Sequence, residues 1–251
     1  MAEYGLQMYS VRDLTRKGEM KEALRRVSEM GYKFVEFAGF FDIPAEQIKE
    51  WLDEYGLEAY CTHVGLEDLE QTIAYHKAIG CKHIVLPGTS WNTAEDMENN
   101  IKMLNDAQKR LAEEGMTLGY HNHSSEFYPT PYGKVVEDEV IARTNVLLEI
   151  DTFWLCNAGI DSVPYCEKLK DRIIMIHIKD GKIAKDIPHS FANAHEGAKG
   201  KALGEGDAPV KEVYDWALKN NIRMIVESEG LDPTGPEEVE RCIKYLRSLE
   251  N

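Results

Sequence analysis

At about eight places along this chain an amphipathic stretch ends in a glycine or polar turn and gives way to a short β-branched run. Apolar positions spaced three and four apart read as surface helices. The short runs between them are apolar on both faces, as parallel strands are when layers cover both sides. The predicted strands are 4–9, 33–37, 57–63, 82–87, 116–123, 144–151, 172–180 and 222–228. The predicted helices are 20–30, 45–55, 66–79, 93–114, 163–171, 208–221 and 236–250, with a weaker one within 131–143. Glycines 31, 56, 80 and 115 follow four of the helices, where a left-handed residue closes the last turn. Eight βα units favour a closed α/β barrel, the (β/α)8 or TIM barrel, over an open doubly wound sheet. The open sheet usually carries a glycine-rich phosphate turn after its first strand. Here that turn reads YSVRDLTRKGEM, without GxGxxG. No linker or low-complexity tract divides the chain, so residues 1–251 read as one domain. Segment 181–207 is the one long stretch without periodicity, and a loop of that length in a compact domain is usually functional, often a lid.

Composition excludes several classes of function. The formal net charge is −15 with a pI near 5.0, so neither a phosphate backbone nor an anionic bilayer is an expected partner. No apolar stretch reaches the roughly 20 residues needed to span a membrane. The opening MAEYGLQMYSVRD lacks a basic region followed by a long apolar run. The five cysteines form no CxxC pair and read as reduced thiols. A cytoplasmic protein is the expectation.

The polar residues that interrupt the apolar runs carry the chemistry. Four runs in the second half end in a potential ligand: TLGYHNH at His121, VLLEID at Asp151, IIMIHIKD at His177 and IRMIVESEG at Glu227. A parallel barrel gathers the C-terminal ends of its strands around one mouth, where barrel enzymes keep their sites. Imidazoles and carboxylates without thiolates fit Mn, Mg, Co or Zn. Each residue also has a plainer reading. His177 could be a satisfied core histidine and Asp151 a helix N-cap. Glu227 and Glu229 share one strand face and repel unless a cation lies between them. His121 and His123 share a face by the period of two, as do His177 and Lys179. Glu126 follows in the loop SSEFYP, Glu36 ends the second strand and His63 the third. Arg12 in the first loop could hold an anionic group or a hydroxyl, or be a surface arginine. Trp154 and the phenylalanines near strand ends suit the C–H faces of a sugar, or pack the rim.

These motifs resemble the sugar phosphate isomerase/epimerase superfamily, with its xylose-isomerase-like TIM barrel, which includes inosose dehydratase and ketose 3-epimerases. The marks are LQMYSVRD, GYKFVEFAG, YHNHSSEF, EIDTFW, IHIKDGK, LGEGD and VESEG, spread over nearly the whole chain. The resemblance implies one divalent ion, Mn first, with Mg, Co or Zn as alternatives. Asp151, His177 and Glu227 match the family's Asp, His and Glu ligands. The strand-five ligand is usually a glutamate; here His121 stands at that position, so either His121 ligates or Glu126 does. Glu126, His123 and Lys179 become candidate catalytic groups, and Arg12, Glu36, His63 and Trp154 candidate substrate-binding groups. The implied partner is a small carbohydrate, and the family's habit implies a homo-oligomer.

The expected reaction is isomerisation or epimerisation of a keto-sugar or related polyol. It begins with loss of a C–H proton beside a carbonyl held by the metal, giving an enediolate. The alternative is a lyase on the same site, an inosose dehydratase or an enzyme eliminating from a 3-keto-glycoside. A non-catalytic sugar-binding barrel would need no metal.

Overall fold

The computed structural model describes residues 2–250. Its strands are β1 Tyr4–Gln7, β2 Phe34–Ala38, β3 Glu58–His63, β4 His83–Leu86, β5 Thr117–His121, β6 Leu147–Asp151, β7 Ile173–Ile178, β8 Asp180–Lys182, β9 Lys199–Lys201 and β10 Arg223–Val226. Among the described residues eight of these close a barrel in the order β1-β10-β7-β6-β5-β4-β3-β2. Every pair is parallel, and β10 completes the ring by lying beside β1, with Tyr4 opposite Met224. The helices are α1 Arg12–Thr15, α2 Met20–Met30, α3 Ala45–Tyr55, α4 Leu69–Ile79, α5 Ala94–Glu113, α6 Val136–Arg143, α7 Thr152–Asn157, α8 Ser162–Leu169, α9 Val210–Asn220 and α10 Gly235–Ser248. The chain is therefore the (β/α)8 barrel that its periodicity predicts, with α1 and α7 as short additions.

Local sequence accounts for the units. In α2, Met20, Ala23, Leu24 and Val27 face the sheet at helical spacing and are buried. Burying a side chain such as Leu24 contributes about 1.5–3 kcal/mol. Gly31 ends the helix at φ 96, a conformation that costs a residue with a Cβ, and the chain turns directly into β2. Inside the barrel, Phe34, Cys61, Val85, Met175 and Ile225 form an apolar floor. Gly5 makes room for it: a Cβ there would lie 2.2 Å from the Phe34 ring. Above this floor the inward positions become polar, and there the site begins.

Several boundaries differ from the sequence reading. β5 stops at His121 and β7 at Ile178, because the following residues turn to bond with neighbouring loops. Segment 181–207 is also less irregular than expected. Its ends pair as β8 and β9, with Gly181 opposite Gly200. Asp180 anchors this unit. Its buried carboxylate accepts backbone N–H groups from Gly181 (2.8 Å), Gly204 (2.9 Å), Gly206 (2.8 Å) and Ala208 (3.1 Å). Gly206 has to be glycine for this approach, since a Cβ would meet Asp180 Oδ1 at 1.9 Å. The LGEGD motif is thus the backbone cradle of a carboxylate. Asp180→Ala would strand these donors, and a charged acceptor is worth more than a neutral one. We expect a loss of about 3 kcal/mol in chemical denaturation and faster amide exchange across 181–207. Unchanged protection in that segment would contradict the anchor.

Glu137, buried in α6, accepts the Tyr165 hydroxyl at 2.9 Å. Burial pushes its carboxyl up to about 7, against the Tyr165 hydrogen bond. In the unfolded chain a glutamate titrates near about 4.3. Between the two values the folded protein binds the extra proton, so this group's contribution to stability falls as pH rises from about 4 to 7. Glu137→Gln keeps an acceptor for Tyr165 and removes the charge. The variant should be more stable than the parent by about 2–3 kcal/mol at pH 8 and nearly equal to it at pH 4. Equal stabilities across that range in urea titrations would show that Glu137 ionises freely.

Candidate active site

Strand alternation aims successive pairs of residues into the mouth: 149 and 151 on β6, 175 and 177 on β7, 119 and 121 on β5. His121, Asp151, His177 and Glu227 are all buried, and one ligand atom from each lies within 4.8 Å of the others. They come from β5, β6, β7 and the end of β10, which are consecutive in the barrel. Polar loop residues fix these strand ends. Asn122 Oδ1 accepts the Asp151 N–H at 3.0 Å, and Thr152 Oγ1 donates to the His177 carbonyl at 2.9 Å. Asp151 also caps α7, its Oδ1 accepting the Trp154 N–H at 2.9 Å. Cap and candidate ligand are therefore the same carboxylate. Its fully buried Oδ2 has no hydrogen-bond partner and only an ion pair, with Lys179 Nζ at 3.3 Å. Two imidazoles and two carboxylates that converge suit a divalent cation with N and O ligands, and the donor set fits that group.

Lys179 lies against the same carboxylates. Its Nζ is 2.8 Å from Glu227, 3.3 Å from Asp151 and 3.4 Å from Glu229, and 4.8 Å from the centre of the Trp154 ring. Burial works to lower its pKa, but the charges of Asp151, Glu227 and Glu229 outweigh it and hold the group as an ammonium. Lys179 therefore sits as a cation among these carboxylates. Burial, with Glu227 adding to it, pushes the Asp151 carboxyl up to about 7 despite Lys179.

Beneath these residues lies a second polar layer. Glu36 and Glu149 are fully buried there. Glu36 Oε2 is 2.5 Å from His177 Nε2. Glu149 Oε1 meets three imidazoles: His63 at 2.6 Å, His121 at 2.8 Å and His177 at 3.1 Å. Glu149 has the period-of-two signal of its neighbour Asp151, yet the sequence reading passed over it.

The rim holds the accessible groups. The mouth is a cavity of about 580 Å³, lined by Tyr9, His63, His121, His123, Glu227 and Glu229 among others. His123 is the most open imidazole of the cluster, its side chain 32% exposed. Burial lowers its pKa, so it is neutral near pH 7. Behind it Glu126 accepts from Tyr120 (3.1 Å), the His123 N–H (3.2 Å) and Ser125 (2.7 Å). Glu126 stands 3.9 Å from His123 Nδ1. From segment 181–207, the His195 ring packs at a tilt against Trp154, centroids 4.7 Å apart, and against His123 at 5.5 Å. Asn157 holds it there by donating to the Ala194 carbonyl at 2.8 Å.

The expected residues therefore divide. His121, Asp151, His177 and Glu227 converge, with Lys179, His123 and Trp154 beside them. Glu126 is close but directed away from the ligand set, so of the two strand-five candidates His121 is the one placed with the others. Glu36, expected to touch substrate, lies instead under His177 and away from solvent. His63 lines the mouth but points its Nε2 down to Glu149. Arg12 is occupied by the carbonyls of Tyr9 (3.0 Å) and Glu229 (2.9 Å) and ties the first loop to the last. That role of Arg12 needs two distant loops to meet, which no local pattern announces.

The chain belongs to the xylose isomerase-like TIM barrel family, whose model matches residues 24–249. A protein named inosose dehydratase from Mesomycoplasma hyopneumoniae (strain J) is 26% identical over 268 residues, covering 91% of this chain and 88% of that one. An inosose dehydratase from Clostridium tetani is 30% identical over 165 residues, covering 63% and 55%. Among solved structures, a sugar phosphate isomerase/epimerase from Parabacteroides distasonis superposes with a TM-score of 0.80 at 24% identity, covering 97% of both chains. A probable 3-DHS dehydratase from Bacillus anthracis does so at 0.73 and 13%, covering 98% and 99%. Among the described residues no helix is long and apolar enough to cross a membrane.

Proposed function

We propose that this protein is a divalent-metal-dependent enzyme that removes a C–H proton beside the carbonyl of a polyhydroxy ketone, a cyclitol or keto-sugar, and then expels a β-leaving group. The observation that carries the reading is the convergence of His121, Asp151, His177 and Glu227 at the base of an open cavity, with a partly exposed imidazole, His123, on its rim. When bound, a divalent ion supplies Lewis-acid polarisation of the carbonyl. The protein's own groups do the rest. His123, with Glu126 behind it, takes the proton. Lys179 supplies positive charge where the enediolate oxygen develops. The Trp154 indole N–H, buried and without a partner, is a donor for a substrate hydroxyl. His195, beside His123, is placed to protonate a departing group.

Elimination is put before isomerisation on the names of the curated relatives, inosose dehydratases. Isomerisation or epimerisation of a keto-sugar is the second reading, and it shares the first step. The test is incubation of the metal-loaded protein with an inosose and with 3-keto-glycosides in D2O. Deuterium entering the recovered substrate with release of water or an aglycone supports the lyase; exchange with a new stereoisomer supports the second reading. Absence of exchange with both substrate classes, across Mn, Mg, Co and Zn, would sink both readings.

A further inference from the structure

The inner layer of Glu36, Glu149 and His63 lies outside the cavity's reacting surface, yet it engages both histidines of the candidate ligand set. A carboxylate only accepts hydrogen bonds, so an imidazole nitrogen facing one carries the proton. His121 turns Nδ1 to Glu149 at 2.8 Å. His177 turns Nε2 to Glu36 at 2.5 Å and to Glu149 at 3.1 Å. The nitrogens left for an ion are then Nε2 of His121 and Nδ1 of His177. By the same rule Nδ1 of His177 donates to Glu227 Oε2 at 3.3 Å while no ion is bound, so an ion takes the place of that proton. His63 bridges the two inner carboxylates, 2.6 Å from Glu149 and 3.1 Å from Glu36.

We infer, on the metal-dependent reading above, that Glu36, Glu149 and His63 are positioning residues that make the two histidines bind one ion through opposite ring nitrogens, His121 through Nε2 and His177 through Nδ1. Partners behind a ligating histidine fix its tautomer and raise its basicity. The competing arrangement uses the inner set itself: ligand atoms of His63, His121, Glu149 and His177 also lie within 4.8 Å of one another. An ion there would take the nitrogens that already face carboxylates. Ions in both places at once would require His121 and His177 as bridging imidazolates.

The experiment uses the full chain, ¹⁵N-labelled in histidine and loaded with diamagnetic Zn. Two-bond ¹H–¹⁵N correlations read which nitrogen of each ring carries hydrogen and which carries metal, with His121→Gln and His177→Gln assigning the signals. One ion per chain, on His121 Nε2 and His177 Nδ1, is the expected result. The reverse nitrogens, or two ions per chain, would overturn the inference while leaving a metal site. No ion under any loading would overturn the metal-dependent reading as well. In parallel, Glu149→Gln and Glu36→Gln keep an acceptor but lose the charge. Each should weaken Mn binding by about 10–100-fold at unchanged stoichiometry. Affinities equal to the parent's, in variants whose metal-free melting matches the parent, would also count against a positioning role.

Discussion

Asp151→Asn is expected to keep its fold and lose its ion. The amide oxygen still accepts the Trp154 N–H, so α7 keeps its cap. The other atom becomes an N–H2 donor facing Lys179 and the ion's place, where the parent offers an oxygen paired only with Lys179 at 3.3 Å. A donor cannot ligate, and it meets the ammonium as one positive end meets another. Affinity for Mn should drop by more than the roughly 100-fold that loss of an outer partner brings. A ligand that binds only the folded state at 100 times its dissociation constant stabilises it by about 2.7 kcal/mol. Adding Mn should therefore raise the melting temperature of the parent and leave that of Asp151→Asn unmoved. Elemental analysis of the dialysed proteins gives the same comparison directly. An Asp151→Asn protein that retains a full equivalent of metal would place the ion elsewhere, with the inner set as the first candidate.

His123→Gln should separate proton transfer from metal binding. His123 is the most open of the strand-end imidazoles, and it lies outside the converged ligand set. The variant should bind metal as the parent does, yet exchange a substrate C–H proton about 10²–10⁴-fold more slowly, the usual contribution of a positioned base. The pH dependence of exchange adds a second readout. Burial lowers the pKa of His123, so the parent should hold its rate below the ordinary histidine range, falling only as acid protonates the ring. Full exchange in His123→Gln would transfer the base role to another titratable group at the mouth, with Glu229, 30% exposed, as the first candidate.

The fold was legible because its signals are local and repeated. Helical spacing in α2, glycine at its end and the apolar run of β2 are decided within about 20 residues, and the same logic recurs around the barrel. Strand alternation carried the ligand set too. Placing 121, 151, 177 and 227 at strand ends needs only the period of two and the closure of the barrel. Depth and occupancy were not legible. Glu36 reads in sequence as a strand end much as Glu227 does, but β2 runs on to Ala38 and the register of Glu36 opposite Gln7 and Cys61 sets it under His177, while Glu227 follows the end of β10 and reaches the cavity. Arg12 looked free until the β10–α10 loop came to meet it. Glu149, two residues before Asp151, reads in sequence as one polar residue in an apolar strand, and only the meeting of β3, β5 and β7 surrounds it with three imidazoles.

The sequence by itself determined the barrel, the end of it that carries the site, and the residue types that meet there, because periodicity and strand polarity are properties of neighbouring residues. The tertiary structure alone decided which of those residues touch, which nitrogen of each histidine faces the cavity and which loops close over it. Those outcomes depend on strand tilt and register across the ring, where residues more than a hundred positions apart, such as Glu36 and His177, become hydrogen-bonded neighbours.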